Sequence, residues 1–337
     1  MIFMCQIISF VLTRLMNSLS YIAAPFVDVA SSPLTLLSSI WLRIIRRFPI
    51  ARMPFSKAIF NMAGVFPIRD HYYEPMFNTA HLYRPPEQDR ELPGLALNLA
   101  EQLVILSRFH FNDELISFPV KKQAEFSFYY HNGSFEQIDA QYLYNIIRLY
   151  KPRRIIEIGS GYSTLMSASA IQKNKDEDTD YACEQTCIEP YENRWLEGLG
   201  LIVLRTPVQK VDKDLFRSLD INDILFIDSS HVIRPQGDVV FEYLEILPLL
   251  KSGVLVHIHD IFTPKDYPSS WLEGPFVFLN EQYLVEAFLS FNRQYKIIGA
   301  LHYLYHNYRS ELVEKCPLLT QDFCKGREPG SLWIIRT

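Results

Sequence analysis

The sequence predicts an α/β protein: a doubly wound, mostly parallel sheet of seven strands, preceded by an N-terminal helical accessory region. Three observations carry this reading. From Arg154 onward, short apolar and β-branched runs alternate with helical patterns, as parallel strands joined by crossover helices do. The run EIGSGYST, Glu157 to Thr164, sets two glycines where the first of these strands turns into a helix. The last two strand-like runs, Tyr295 to Ile298 and SLWIIR, are joined by a long connection, which suits a closing antiparallel strand.

Taken in order, Arg154 to Ile158 reads as the first strand, Ser163 to Gln172 as a helix and KNKDEDTD as a solvated loop. Cys183 to Glu189 is the second strand, Tyr191 to Leu199 a helix and Leu201 to Arg205 a strand. Asp223 to Asp228 is the fourth strand, FEYLEILPLL a helix, Val254 to His259 the fifth strand and Asn280 to Phe291 a helix. Upstream, Leu97 to Phe109 and Ile138 to Tyr150 carry helical spacing. The domain organisation expected is an apolar and basic segment over 1–53, an accessory lid or substrate region over 54–137 and a catalytic domain over 138–337. His71, Tyr72, Tyr73 and Glu74, and the run Tyr129, Tyr130, His131, Asn132, are the lid candidates; for any single one of them, packing on the sheet is the stronger reading.

The first fifty residues are unusual. No cationic region precedes the uncharged run Met1 to Thr13, as a secretory signal requires. From Leu15 to Leu42 the apolar stretch is broken by Asn17, Pro25 and Pro33, a poor membrane span. Leu34, Leu37, Ile40, Trp41, Ile44, Ile45 and Phe48 recur at helical spacing beside Arg43, Arg46, Arg47, Arg52 and Lys57. This basic amphipathic helix fits either peripheral contact with a membrane through 34–48 or packing on its own domain or on a partner subunit, as in a homo-oligomer.

The chain has 33 Lys and Arg against 38 Asp and Glu, a formal net charge of -5, so nothing draws it as a whole to nucleic acid. Five scattered cysteines, an odd number, argue against a disulfide framework and for a reducing compartment, the cytoplasm. Cys183 and Cys187, four apart with no histidine at finger spacing, do not make a structural zinc site.

Glycine at 159 and 161 lets the backbone of the turn approach a ligand closely. The third glycine of the dinucleotide fingerprint GxGxxG falls on Thr164, which disfavours a pyrophosphate and hence NAD. Glu189 ends the second strand in CIEPY, where its carboxylate can accept both hydroxyls of a ribose. Asp228 and Asp260 end the fourth and fifth strands, in FIDSSH and HIHD, at the sheet edge where doubly wound folds bind ligands. His231 follows three residues after Asp228. His257 shares a strand face with His259 but lies deeper, as a core histidine does, and Asp238 reads as the start of a helix.

The block from Arg154 to Trp271, with EIGSGYST, CIEPY, ILFIDSSH and SGVLVHIHDIFTPKDYP, resembles the class I S-adenosylmethionine-dependent methyltransferase superfamily, and within it macrocin-type and catechol-type O-methyltransferases. The resemblance implies a Rossmann-like sheet, S-adenosylmethionine as cofactor, and a small-molecule hydroxyl, on a sugar, polyketide or phenol, as acceptor. It assigns Glu157, Gly159, Ser160, Gly161, Ser163, Glu189 and Asp228 to the cofactor, with Glu157 near its cationic end. Ser163 departs from the family pattern by standing where a third glycine is common, so Ser163 or Thr164 would cap the helix. By the same likeness Asp228, Asp260 and His259 would hold a divalent cation, magnesium or manganese, that activates the acceptor hydroxyl. A metal-free alternative stands beside it, with His231 as general base and Asp228 as a second catalytic residue. Two other functions compete: an inactive cofactor-binding or membrane-associated scaffold, and a metal-dependent hydrolase or hydroxylase at Asp228, His231 and His259. The latter lacks a nucleophile elbow and leaves the nucleoside features unexplained.

Overall fold

The structure is a computed structural model that describes residues 24–48, 50–68, 75–273 and 278–337. The chain divides into two compact units, Met1–Leu82 and Tyr83–Thr337. The lid candidates His71 to Glu74 lie outside the described residues.

In the first unit, Ala24–Ile45 is helical with Pro33 inside it, and Pro54–Ala63 forms a second helix that starts on proline and ends at Gly64 in the left-handed region, as helix termini favour. Most large apolar residues of the first helix lie outward, Phe26, Leu34, Leu37, Ile40 and Trp41 among them, whereas Ile45 is buried. Among the described residues no helix is long and apolar enough to cross a membrane.

The second unit holds a seven-stranded sheet in the order β3-β2-β1-β4-β5-β7-β6. Its strands are β1 Arg154–Ile158, β2 Glu184–Ile188, β3 Ile202–Leu204, β4 Ile224–Ile227, β5 Leu255–Ile258, β6 Tyr295–Ala300 and β7 Leu332–Arg336. The first five pair in parallel, whereas β7 runs antiparallel to both β5 and β6. The connection from β6 to β7 is largely helical, through Leu301–Asn307 and Arg309–Lys315.

Alternation along the strands divides the core. Ile155, Phe226, Leu255 and Trp333 pack on one face with Tyr142, Ile146, Leu165 and Met166 from the helices Gln137–Tyr150 and Tyr162–Glu177. Ile156, Ile158, Ile227 and Ile258 pack on the other with Val239, Tyr243 and Val285. Phe109, Leu115, Phe128 and Phe135 are buried in the first of these cores, so this part of the accessory sequence is integral to the sheet's packing. Arg148 fastens it, donating to Glu114 at 2.9 and 3.0 Å and to Glu177 at 2.5 Å.

Three element expectations are corrected. The polar run KNKDEDTD is helical as far as Glu177, because Asn174 is buried against Ile147 O at 3.0 Å and Glu177 pairs with Arg148. FEYLEILPLL is not one α-helix: an α turn at Asp238–Phe241 widens to a π turn over Glu242–Ile246 and tightens to a 3₁₀ turn at Leu247–Leu249. Pro248 lacks the N–H that a continuing helix needs. In place of a helix from Tyr191, only a 3₁₀ turn forms, at Arg194–Leu199, after Asn193 at φ 50°.

Candidate functional site

The sheet register builds the site. Ile158, Ile227 and Ile258 lie abreast on β1, β4 and β5. The next residue of each strand is Gly159, Asp228 or His259, so the three form a row at the carboxyl edge. Backbone bonds extend the ladder through this row, with Asp228 N donating to Ile158 O at 2.8 Å and His259 N to Ile227 O at 3.0 Å.

Gly159 has φ 75°, and a Cβ there would stand 1.8 Å from the Asp228 carbonyl oxygen. Only glycine fits. Gly161 is extended at φ -171° and merely close, its Cβ position being 3.3 Å from Asn193 Nδ2. The helix after the turn is held by Glu157, which accepts from Ser163 Oγ at 2.5 Å and Thr164 Oγ1 at 2.7 Å. Thr164 Oγ1 also accepts from Gly161 N at 3.1 Å. Glu157 and Ser163 are buried, so both act on the loop from within. Burial pushes the Glu157 carboxyl up to about 7, against the hydrogen bonds that favour its charge. Ser160 differs: its Oγ is buried with no partner among the described residues, while its carbonyl accepts from Asn193 Nδ2 at 2.7 Å.

Glu189, just past β2, faces this loop. Its Oε1 accepts from the N–H groups of Tyr191 and Glu192 at 2.9 and 2.8 Å, and its Oε2 lies 3.4 Å from Ser160 N. Gly159, Ser160, Gly161 and Glu189 thus come together around one turn. Tyr162, the first residue of the following helix, shares a 2.9 Å hydroxyl contact with Tyr129. Of the other lid candidates in that run, Tyr130 is buried in the core, His131 accepts from Arg327 at 2.9 Å and Asn132 shapes its own turn.

Beyond the row stands a cluster of carboxylates and imidazoles. His259 Nδ1 is 3.5 Å from Asp228 Oδ1 and 3.3 Å from Asp260 Oδ1. His231 Nε2 is 3.3 Å from both Asp228 Oδ1 and Asp260 Oδ2. Both His231 and Asp260 have positive φ, 57° and 60°, a backbone strain that clusters at functional sites. Burial disfavours charge on His231, but hydrogen bonds to Asp228 and Glu281 outweigh it and hold its pKa well above the usual range. His259 is raised likewise, the charges of Asp260 and Asp228 overcoming burial. Asp228 is lowered: burial opposes its charge, and His259 and His231 prevail.

Two partners in this cluster had no sequence signal. Glu281, fifty residues from His231 in sequence, accepts from His231 Nδ1 at 2.7 Å and from Tyr243 Oη at 2.9 Å. Asp139, in the first turn of Gln137–Tyr150, accepts from Gly330 N and Ser331 N and lies 3.9 Å from His259 Nε2. By contrast His257 is a core residue as expected, stacked on Phe226 at 4.0 Å and bonded to Ser331 Oγ at 2.8 Å. Asp238 opens its helix and accepts from Ser230.

A cavity of about 530 Å³ adjoins the cluster, walled by Asp139, His259, Asp260, Phe262, Trp271 and Glu328 among others. Asp228, His259 and Asp260 can each offer a ligand atom, all within 4.8 Å of one another. Two carboxylate oxygens and one imidazole nitrogen suit a divalent cation of the magnesium-to-manganese type.

Residues 156–261, which contain the glycine turn and both strand-end aspartates, match the family model described as a methyltransferase domain. An uncharacterised protein of Archaeoglobus fulgidus is 32% identical over 168 residues, which are 46% of this chain and 74% of that protein. A solved structure described as an O-methyltransferase from Bacillus cereus in complex with SAH aligns with 71% of this chain and 91% of its own. The TM-score of that alignment is 0.34 and the sequence identity 11%.

Proposed function

We propose that the chain, whose residues 156–261 match a methyltransferase domain, is a class I S-adenosylmethionine-dependent methyltransferase that methylates a hydroxyl oxygen of a small molecule bound in the cavity beside His259 and Asp260. The observation that carries the reading is the row Gly159, Asp228, His259, which sets the glycine turn beside the carboxylate and imidazole cluster on adjacent strands. S-adenosylmethionine supplies a methyl group already activated on a sulfonium.

The chain's residues then position and deprotonate. The Gly159 to Gly161 backbone cradles the nucleoside, and Glu189 accepts from the ribose. Glu157 and Ser163 hold the turn from beneath. His231 lies between Glu281 at Nδ1 and Asp228 and Asp260 at Nε2, which favour its charged form, so it would take the acceptor proton from its neutral form, with Glu281 and Asp228 orienting the ring. A divalent cation held by Asp228, His259 and Asp260 would supply positive charge that lowers the pKa of both the acceptor hydroxyl and His231. The fixed register sets donor against acceptor, an effect worth up to ~7 to 11 kcal/mol in well-oriented systems.

Titration calorimetry with S-adenosylhomocysteine, with and without magnesium, tests this reading. Binding, and methyl transfer to a hydroxylated acceptor that fails in His231→Ala, is the expected result. Absence of binding at high micromolar concentration would overturn it. Binding without turnover on any acceptor would favour the scaffold alternative.

For the N-terminal unit we propose that Ala24–Ile45 lies on an anionic membrane surface. Between residues 24 and 68 there are five cations, Arg43, Arg46, Arg47, Arg52 and Lys57, against the single Asp28, although the whole chain is net acidic. Large apolar residues are exposed along the same helix, and Phe55, Ile59 and Met62 are exposed on the next, the combination that anionic interfaces bind. Flotation with phosphatidylserine vesicles of the full chain, but not of a Trp41→Glu variant, is expected. Equal flotation of the two, or a concentration-dependent dimer that Trp41→Glu abolishes without any flotation, would overturn the membrane reading.

A further inference from the structure

The helix Leu301–Asn307 carries His302 and His306 one turn apart, so the two rings share a helix face. They converge on one atom. His302 Nε2 lies 2.8 Å from Glu328 Oε2, and His306 Nε2 lies 3.1 Å from the same oxygen. The ring centroids are 4.6 Å apart, and one ligand atom from each residue falls within a set no wider than 4.8 Å. His302 is buried, with the Phe262 ring 5.2 Å away edge-on, while His306 is about a third exposed at 32%.

We propose that His302, His306 and Glu328 form a second metal site, of zinc type, on the rim of the acceptor cavity. Two imidazole nitrogens and one carboxylate oxygen, with the imidazoles at i and i+4 of a helix, are a zinc donor set. The set is distinct in chemistry from the cluster around Asp228, where oxygen donors outnumber nitrogen and harder cations fit. With three protein ligands the fourth tetrahedral position stays open to an exogenous oxygen, as in zinc sites that bind reactants. Glu328 lines the same cavity as His259 and Asp260, so that position is reached from the acceptor's side. The cavity wall is rich in carboxylates, Glu87, Glu136, Asp139 and Asp260, and its Arg327 is paired with Glu136. A zinc ion would give this acidic wall a positive anchor for an oxygen of the bound molecule. The site stands on its own geometry and does not rest on the methyl-transfer reading.

Cobalt(II) is the probe, because four-coordinate cobalt absorbs visible light far more strongly than six-coordinate cobalt. The full chain is dialysed against cobalt(II) with magnesium in excess, which keeps the oxygen-rich site occupied. The wild type is expected to hold one cobalt with the intense tetrahedral band. His306→Ala, which trims a partly exposed side chain, is expected to lose the band and to weaken cobalt binding by more than the ~10 to 100-fold cost of an outer-sphere loss. Its thermal melt stays at the wild-type value, and Asp228→Asn keeps the band. A wild type without the band, a His306→Ala protein that retains it, or a band lost in Asp228→Asn and kept in His306→Ala would each overturn the proposal. Because the readout is metal coordination, its failure leaves homocysteine-nucleoside binding untouched, and failure of that binding leaves the cobalt band untouched.

Discussion

Replacing Gly159 by alanine isolates the contact that joins the cofactor turn to the reacting end. The new Cβ would stand 1.8 Å from the Asp228 carbonyl oxygen, where real Cβ contacts stay beyond 3.0 Å. Either β1 or β4 must then yield by more than 1 Å at its last residue. The ladder bond from Asp228 N to Ile158 O, 2.8 Å long, and that from Gly159 N to Ile188 O, 3.0 Å long, sit at this point and would stretch out of range. Holding an L-residue at φ 75° costs roughly 1–2 kcal/mol, and a buried hydrogen bond broken on one side costs about 1–3 kcal/mol. The expected loss is about 2–5 kcal/mol, divided between folding and binding. Scanning calorimetry should show the melting temperature falling by roughly 5 to 15 °C. Titration with S-adenosylhomocysteine should show affinity lowered at least ~30-fold at a temperature where the variant is folded. Gly161→Ala is the milder comparison: its φ of -171° is extended, and Asn193 Nδ2 at 3.3 Å need give only slightly at its bond to Ser160 O, so affinity should fall by less than about tenfold. Gly159→Ala binding as wild type, or Gly161→Ala proving the more damaging, would refute the reasoning.

Glu189→Gln keeps the size of the side chain and removes its charge; loss of charge-assisted acceptance should weaken S-adenosylhomocysteine binding by about 10 to 100-fold, and unchanged calorimetry would reject the ribose assignment. Burial raises the folded-state pKa of Glu157 to about 7 from 4.5, so its contribution to stability is fully present below about 4.5 and is lost as the pH rises to about 7. Urea denaturation of wild type and Glu157→Gln between pH 4.5 and 8 should therefore differ by a pH-dependent amount of at most roughly 3 kcal/mol, and parallel profiles would refute it. Asp228→Asn should lower turnover by 100-fold or more, about 3 kcal/mol, with homocysteine-nucleoside affinity within about fivefold; equal losses in both would move Asp228 from the reacting end to the cofactor.

Strand positions were legible because the central parallel strands are buried on both faces and must be written in residues such as RIIEI, ILFI and LVHI. The turn was legible for a similar reason: at Gly159 no other residue clears the Asp228 carbonyl. What the sequence hid was whatever depended on distant partners. KNKDE looks like a loop until Arg148 and Ile147 arrive from the neighbouring helix to bond Glu177 and Asn174. Glu281 carries no local mark of its role, since only the fold brings it to His231. His302 and His306 were spaced for one helix face, but Glu328, more than twenty residues on, gives that spacing a meaning.

Asp228 shows why this architecture suits group transfer. Its carbonyl oxygen is the surface against which the glycine turn is moulded, and its carboxylate, like that of Asp260, is approached by both His231 and His259. In the proposed reading donor and acceptor would meet beside this residue, where the ladder bonds of β1, β4 and β5 fix the row. A misplacement of about 1 Å can cost on the order of a hundredfold in rate, so a rigid register is itself a catalytic device. The acceptor side is free of that constraint. Besides His259 and Asp260, its walls come from Glu87, the stretch from Ser134 to Asp139, the segment after β5 and the segment before β7, and those parts can change to suit a different acceptor while the row stays fixed.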